Sequence, residues 1–453
     1  MQIQQISVSG LFGIFDHVVP LNTNERITII HGPNGFGKTA MLRLLNGFFN
    51  SRYSVFQAIP FVNFRVEFDN DSSIEIVNIS EDSEKTKKIN QVTFNFYEPN
   101  AKKVSFTPES VKDRSGIEFS IDILDEIVPG LSRFDARTWR YIPTDETLSL
   151  EEVMERFEDF LPPKVRKLRG EPDWLESLKS SIYVRLIESQ RLLNIIPRRS
   201  SRPSSGASSM LPTVSAYSDE LAKLMRDKFT EYGVTAQSLD RTFPTRLVKQ
   251  QPSPDLTDEQ LRDQLNELEA TRSRLIEVGL LDKNENSDFQ IPHQDIDEST
   301  KNILSVYVGD VEKKLSVFNE IASKIDLLRR IVNSKFAYSY KEMNFNKEKG
   351  FVFKTLYNSP SSTSKTLSPI DLSSGEQHEL VLLYELLFKV QPNSLVLIDE
   401  PELSLHVGWQ AQFLKDLQEV TKLADLDVLM ATHSPDIIQD RWDLTVELKG
   451  PEK

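Results

Sequence analysis

The sequence contains no cysteine, which excludes disulfides and thiolate-held metals. Histidine is scarce, with six in 453 residues. No apolar run approaches the roughly 18 residues that a membrane span requires. The opening stretch Met1-Gln2-Ile3-Gln4-Gln5 lacks the basic and apolar regions of a signal peptide, so the expected location is cytoplasmic. Positive charge is also short: 54 Lys and Arg face 68 Asp and Glu, a net charge of −14. The average field therefore repels nucleic acid, and DNA binding would need a locally basic surface. Two segments could supply one, Lys164-Val165-Arg166-Lys167-Leu168-Arg169 and Arg198-Arg199 with Arg202, although such runs are ordinarily solvated faces. With 39% hydrophobic and 27% charged residues the chain is globular, of a length that suggests roughly two to four structural units.

Against that background one stretch stands out, Gly32-Pro33-Asn34-Gly35-Phe36-Gly37-Lys38-Thr39. It follows the apolar run Ile27 to Ile30 and precedes Ala40-Met41-Leu42-Arg43-Leu44-Leu45, which has helical spacing. Strand, glycine-rich loop and helix in this order, with the G-x-x-x-x-G-K-[ST] pattern, describe a phosphate-binding P-loop. The glycines let backbone N–H groups close around a phosphate, and the helix N-terminus favours an anion. Asn34, Gly35, Gly37, Lys38 and Thr39 are the expected ATP contacts, with Lys38 on the β and γ phosphates and the Thr39 hydroxyl on Mg²⁺.

Short strands are expected at Ile3 to Ser9, Asp16 to Leu21 and Arg26 to Ile30, with the P-loop helix reaching about Phe49. Alternating patterns at Phe61 to Phe68, Ser73 to Val77 and Val92 to Tyr97 predict an antiparallel subdomain. Ser149 and Glu152 could form a capping box for a helix through Phe157. Ser181 to Ile187 reads as a buried strand ending at Glu188-Ser189-Gln190-Arg191, and residues 197–217 as a Pro, Ser and Arg-rich loop. Helices are expected from about Tyr217 to Phe336. Leu261, Leu265, Leu268, Leu275 and Val278 stripe one of them. Ile303, Val306, Val311, Leu315, Phe318, Ile321, Ile325 and Leu328 stripe a second, from about Ser299 to Asn333, which would extend roughly 50 Å. The two suggest an antiparallel hairpin, a short coiled coil suited either to core packing or to docking a partner. Strands return at Ala337 to Asn344 and Gly350 to Tyr357.

The last eighty or so residues hold the remaining motifs. Leu372-Ser373-Ser374-Gly375-Glu376-Gln377 precedes a helix at His378 to Tyr384, a helix start with a free Ser and Gly where an anion could sit. Ser394 to Ile398 then form a buried strand that delivers Asp399 and Glu400 to a sheet edge. Asp399 would bind Mg²⁺, and Glu400 would orient and deprotonate the attacking water. Val428 to Thr432 make one more strand, with His433 at its tip near the γ phosphate.

In this order the motifs resemble the ABC-type ATPases, particularly the SMC-like branch. Leu372 to Gln377 looks like the ABC signature, Asp399-Glu400 like Walker B, Thr432-His433-Ser434-Pro435 like the His switch, and Leu403 to His406 like the D-loop region. Gln190 stands where a Q-loop glutamine could sense Mg²⁺. The resemblance implies an α/β head, an ABC/SMC-like P-loop ATPase with an antiparallel β subdomain and a helical insertion containing a short coiled-coil hairpin. It also implies that Ser373 and Gly375 of one copy close over ATP held by another, so that hydrolysis needs a homo-oligomer. More narrowly, Asp399 to His406 followed by Ala431 to Pro435 is similar to the OLD-type ATPases of bacterial phage defence. Those proteins continue into a TOPRIM nuclease, whereas twenty residues follow His433 here. The similarity therefore points to the stand-alone ATPase subunits of PARIS-type or Septu-type systems, whose nuclease is a separate polypeptide.

The resulting expectation is an ATP-hydrolysing sensor or scaffold subunit that forms an ATP-sandwich dimer or larger assembly, holds a nuclease effector, and answers a phage-encoded trigger. Its expected division is an N-terminal lobe at 1–195, a loop and helical insertion at 196–335, and a C-terminal lobe at 336–453. The alternative is a RecF-like, SMC-like DNA-binding ATPase of repair, against which the charge of −14 argues mildly. An ABC transporter motor ranks third, because such motors keep P-loop and signature much closer together.

Overall fold

The computed structural model describes residues 1–80, 90–99, 102–108, 130–135, 138–141, 146–150, 171–188, 213–249, 257–282, 296–356 and 366–451, with Leu124, Val128, Val153 and Phe157. They fall into two compact units, residues 1–211 with 388–453, and residues 212–387.

The first unit opens with β1 (Ile3–Leu11), β2 (Phe15–Pro20) and β3 (Ile27–His31), followed by α1 (Lys38–Phe49) and α2 (Ser54–Ala58). Next come β4 (Asn63–Phe68), β5 (Ser73–Ser80), β6 (Asn90–Tyr97) and β7 (Val104–Phe106). The sheet β2-β1-β4-β5-β6-β7 is antiparallel throughout, the subdomain that the alternating patterns predict. In β4, for instance, Phe64, Val66 and Phe68 face inward while Asn63, Arg65 and Glu67 do not, the period of two that a one-faced sheet needs. A smaller antiparallel sheet, β8 (Leu131–Asp135), β9 (Thr138–Tyr141) and β10 (Glu146–Ser149), gathers around buried Trp139. Of the capping box proposed at Ser149 and Glu152, the glutamate lies outside the described residues.

The unit's next elements are α3 (Asp173–Ser180) and β11 (Val184–Ile187). The strand begins three residues later than the sequence suggests, because the Ser181 N–H still bonds the carbonyls of Ser177 and Leu178 and closes α3.

The second unit contains α4 (Thr213–Lys249), α5 (Asp258–Glu277), α6 (Glu298–Ser316) and α7 (Asn319–Phe336). After these come β12 (Lys341–Asn346), β13 (Gly350–Thr355), β14 (Thr366–Leu367) and α8 (Ser374–Tyr384). Four expectations are corrected here. The loop drawn through residue 217 yields to helix by Thr213, whose turns carry buried Val214, Tyr217 and Leu221. The long helix at 299–333 is two helices. Between them the Phe318 N–H bonds the carbonyl three residues back, and Phe318 is fully buried with its ring 5.3 Å from Tyr232, so packing overrides helical continuity. The strand expected from Ala337 starts at Lys341, after a 3₁₀ turn at Ala337–Ser339.

The helical pairing also differs. Asp258 pairs with Lys301 at one end of α5, and Arg274 with Asp326 at the other, so α5 runs in the same direction as α6 and α7. The antiparallel partner of α6 is α4. Arg246 grips buried Asp310 with two nitrogens, Asp240 pairs with Lys314, and Tyr232 meets Phe318. Helices α5 and α6 do pack together, through Leu261, Leu265 and Val308, but in parallel rather than as a hairpin.

The chain returns to the first unit with β15 (Ser394–Asp399), α9 (Val407–Ala424), β16 (Leu426–Ala431), α10 (Pro435–Ile438) and β17 (Thr445–Glu447). With β11 and β3 these strands make a five-stranded parallel sheet in the order β11-β15-β16-β3-β17. Every residue of β15 is buried, as its unbroken apolar run requires of a central parallel strand. Helix α1 packs on β11, β15 and β16. Its Met41, Leu45 and Phe48 share one core with Leu397 and Leu429 of the parallel sheet and with Phe64 and Phe94 of the antiparallel one. Each such fully buried side chain contributes on the order of 1.5–3 kcal/mol. The pairings Asp399–Ala431 and Ala431–Ile30 bring the C-terminal ends of β15, β16 and β3 side by side, the edge where open α/β sheets hold ligands.

Candidate active site

The P-loop leaves β3 at His31 and enters α1 at Lys38. Gly37 adopts a left-handed φ of 89°, and a Cβ there would lie 2.3 Å from Leu11 Cδ2, so only glycine fits. No side chain caps α1, which leaves its first N–H groups to the loop interior. Lys38 is buried, and its Nζ donates to the carbonyls of Gly32 at 2.8 Å and Pro33 at 3.2 Å. Asn34 and Gly35 form the exposed crown. Two residues that the sequence reading missed brace the loop from β2. His17 Nε2 lies 2.9 Å from the Phe36 carbonyl, and the Phe15 ring lies 5.0 Å from that of Phe36. Their only sequence signal is an aromatic and a buried imidazole on one face of a strand.

Thr39 and Asp399 meet directly, the hydroxyl donating to the carboxylate at 3.0 Å. Burial pushes the Asp399 carboxyl above its ordinary range, the Thr39 bond opposes this, and the neighbouring Glu400 charge adds to it. Glu400 then turns sharply, with a left-handed φ of 43° and its N–H on the Ala431 carbonyl at 2.9 Å. For a non-glycine residue such a conformation costs on the order of 1–3 kcal/mol, and it holds the carboxylate at the strand tip, half-buried.

Across from it stands His433. Its Nδ1 is 3.9 Å from Glu400 and 3.0 Å from Glu402, the carboxylate two residues further on. Glu402 Oε1 also accepts the Thr432 hydroxyl and the His433 backbone N–H, both at 2.8 Å. Ser434 donates its N–H to Thr432 and its hydroxyl to Gln410 of α9, which closes a network around the imidazole. The sequence reading gave Glu402 no role; the second Glu of Asp399-Glu400-Pro401-Glu402 was its signal. The proposed D-loop, Leu403 to His406, ends a 3₁₀ turn, and His406 Nδ1 caps α9 by accepting from Gly408.

Lys38, Thr39, Asp399, Glu400 and His433 thus all belong to the first unit, on adjoining strand ends and the P-loop helix. Ser373 and Gly375 belong to the second. There Ser373 is not free as expected: its hydroxyl accepts the Glu376 N–H while the Glu376 carboxylate accepts the Ser373 N–H, a capping box. Burial opposes ionisation of Glu376, but Lys341, Ser339 and Ser373 together hold its carboxyl below the usual range. Gly375 sits in the first turn of this capped helix. Gln190 lies outside the described residues, as do both basic segments.

The family described as an AAA ATPase domain matches residues 1–438. The chain belongs to that family. A probable ATPase of retron Ec83 from Escherichia coli is 27% identical over 156 residues, which cover 31% of this chain and 27% of that protein. The match thus spans about a quarter of the relative's length. Among solved structures, the chain aligns with an Smc head domain with an extended coiled coil from Pyrococcus furiosus at 13% identity and a TM-score of 0.33, covering 96% of this chain and 90% of that one. The SMC head domain of Thermotoga maritima aligns at 9% identity and a TM-score of 0.31, covering 97% and 92%.

The residues of this AAA-family site suit a magnesium nucleotide. A buried carboxylate with a raised affinity for protons, bonded to a hydroxyl at the head of a P-loop helix, is an oxygen pair for a hard cation, which takes its other ligands from phosphate and water. Thr39 and Asp399 would hold Mg²⁺, whose charge would screen the phosphates. Lys38, within the loop, would meet their oxygens.

Proposed function

We propose that the chain binds and hydrolyses ATP between two copies of itself and serves as the ATPase subunit of an anti-phage defence complex. The observation that carries the catalytic part is the Thr39–Asp399 hydrogen bond, with Glu400 and His433 beside it on neighbouring strand ends. In this reading Glu400 accepts the proton of the attacking water, His433 contacts the terminal phosphate, and Lys38 neutralises charge on the transferred group. Ser373 and Gly375 close the site from a second copy, where the N-terminus of α8 presents N–H groups to phosphate. The partial similarity to a retron ATPase is in keeping with a defence setting. The OLD-like wording of the Asp399 to His406 segment supports a subunit of the PARIS or Septu kind, which holds a separate nuclease until a phage product releases it. In this reading α5 with α6 and α7 docks it, and the chain works in the cytoplasm. Gln190 senses the metal.

The test is affinity purification of the Glu400→Gln chain from its native host, with identification of everything that elutes. A near-stoichiometric nuclease supports the reading. DNA co-eluting without a protein partner would replace it with a RecF-like clamp.

A further inference from the structure

Glu402 is buried, its side chain 5% exposed, yet it carries a carboxylate that neither P-loop chemistry nor water activation requires. Its Oε1 takes two hydrogen bonds from the Thr432 to His433 segment and lies 3.0 Å from His433 Nδ1. Its Oε2 is buried without a hydrogen-bond partner. A buried carboxylate is costly unless its hydrogen bonds are made, and Glu402 makes them through Oε1 alone. His433 is 42% exposed and stands two residues beyond the end of β16. The Pro401–Ser404 turn carries Glu402 across to the end of β16, and Gln410 ties the same turn down by donating to the carbonyls of Glu402 and Leu405.

We infer that Glu402 is the positioning residue of His433: it holds the ring against the Pro401–Ser404 turn by accepting from Nδ1–H, so that Nε2 is the nitrogen turned toward the terminal phosphate, to which it donates once it too carries a proton. Which nitrogen of an imidazole acts is set by the partner of the other one, and a carboxylate already accepting a backbone N–H leaves Nδ1 as the donor. Among the described residues Glu400, 3.9 Å from the same nitrogen, is the other acidic group within reach of the ring. Glu402 touches no reacting atom. This inference rests on the ATPase reading of the site.

The test combines ¹⁵N NMR of the His433 ring with steady-state ATP hydrolysis, on the full chain and its Glu402→Ala and Glu402→Gln variants. Glu402→Gln keeps an acceptor oxygen and guards against misfolding as an explanation. Expected are an Nδ1–H tautomer in the parent chain and loss of that tautomer in Glu402→Ala. The alanine variant should also lose roughly 10- to 100-fold in kcat, the range seen when the partner orienting a functional imidazole is removed, with KM changed less than about twofold. Glu402→Gln should retain the tautomer and lose less. An unchanged tautomer and kcat in Glu402→Ala would overturn the inference, as would a parent ring protonated only on Nε2. Failure of the ATPase reading is separate, since it would show as no hydrolysis by the parent chain while the ring signals still report on Glu402.

Discussion

The Thr39 hydroxyl donates to the Asp399 carboxylate at 3.0 Å across 360 residues of sequence, joining the P-loop helix to the end of the central strand. That contact makes one site of two distant motifs.

Removing the P-loop cation should remove nucleotide binding. Lys38 is the one cationic side chain in Gly32 to Thr39, and it is already buried within the loop. Lys38→Ala should weaken ATP binding by at least about 100-fold in calorimetry, because nothing else in the loop neutralises the phosphates. Unaltered affinity would move the nucleotide elsewhere.

Glu400→Gln keeps the left-handed turn and the side-chain shape but loses the base. ATP affinity should persist, hydrolysis should slow by about 10²-fold or more, and dimer should accumulate with ATP in light scattering. Normal turnover would assign proton abstraction to another group.

The glycine at 37 is a steric requirement. Gly37→Ala would place a methyl in collision with Leu11 at a φ of 89°, at a cost on the order of 1–3 kcal/mol. Thermal unfolding should show a lowered Tm together with loss of ATP binding, whereas Gly13→Ala, where a Cβ meets nothing within 4 Å, should leave ATP binding intact.

Asp399 makes stability and function oppose each other. Its folded-state pKa lies above its unfolded value of about 3.8, so the folded chain holds that proton more tightly. The stabilising contribution is present at low pH and is lost as pH rises from about 3.8 through the raised folded value. Asp399→Asn should therefore raise Tm at neutral pH in the absence of nucleotide, while Mg²⁺-dependent hydrolysis disappears. A lower Tm at pH 7 with a normal one at pH 4 would reverse this assignment.

Much of this was legible in the sequence for a physical reason. Gly32 to Thr39, the six buried residues of β15 and the apolar β16 leave few choices, because each motif's chemistry needs one local backbone. The alternating β4 to β6 were equally plain. What sequence could not supply were choices made by packing. Phe318 interrupts a helix where its buried ring packs against Tyr232, and α6 pairs with α4 where Arg246 and Lys314 find Asp310 and Asp240. Ser373 reads as a free hydroxyl until Glu376 is seen closing its capping box. The role of Glu402 is tertiary in the same way, since its partners Thr432 and His433 lie 30 and 31 residues away.

The central claim, a site completed by the signature of a second copy, is tested most directly by complementation. Lys38→Ala and Gly375→Glu chains, each expected to be inactive alone, are co-expressed, and ATP turnover of the mixed assembly is measured. Recovered turnover is predicted, because one hybrid site then pairs an intact P-loop with an intact signature. Full activity of the Gly375→Glu chain by itself, or a co-purified hybrid that stays silent, would contradict it.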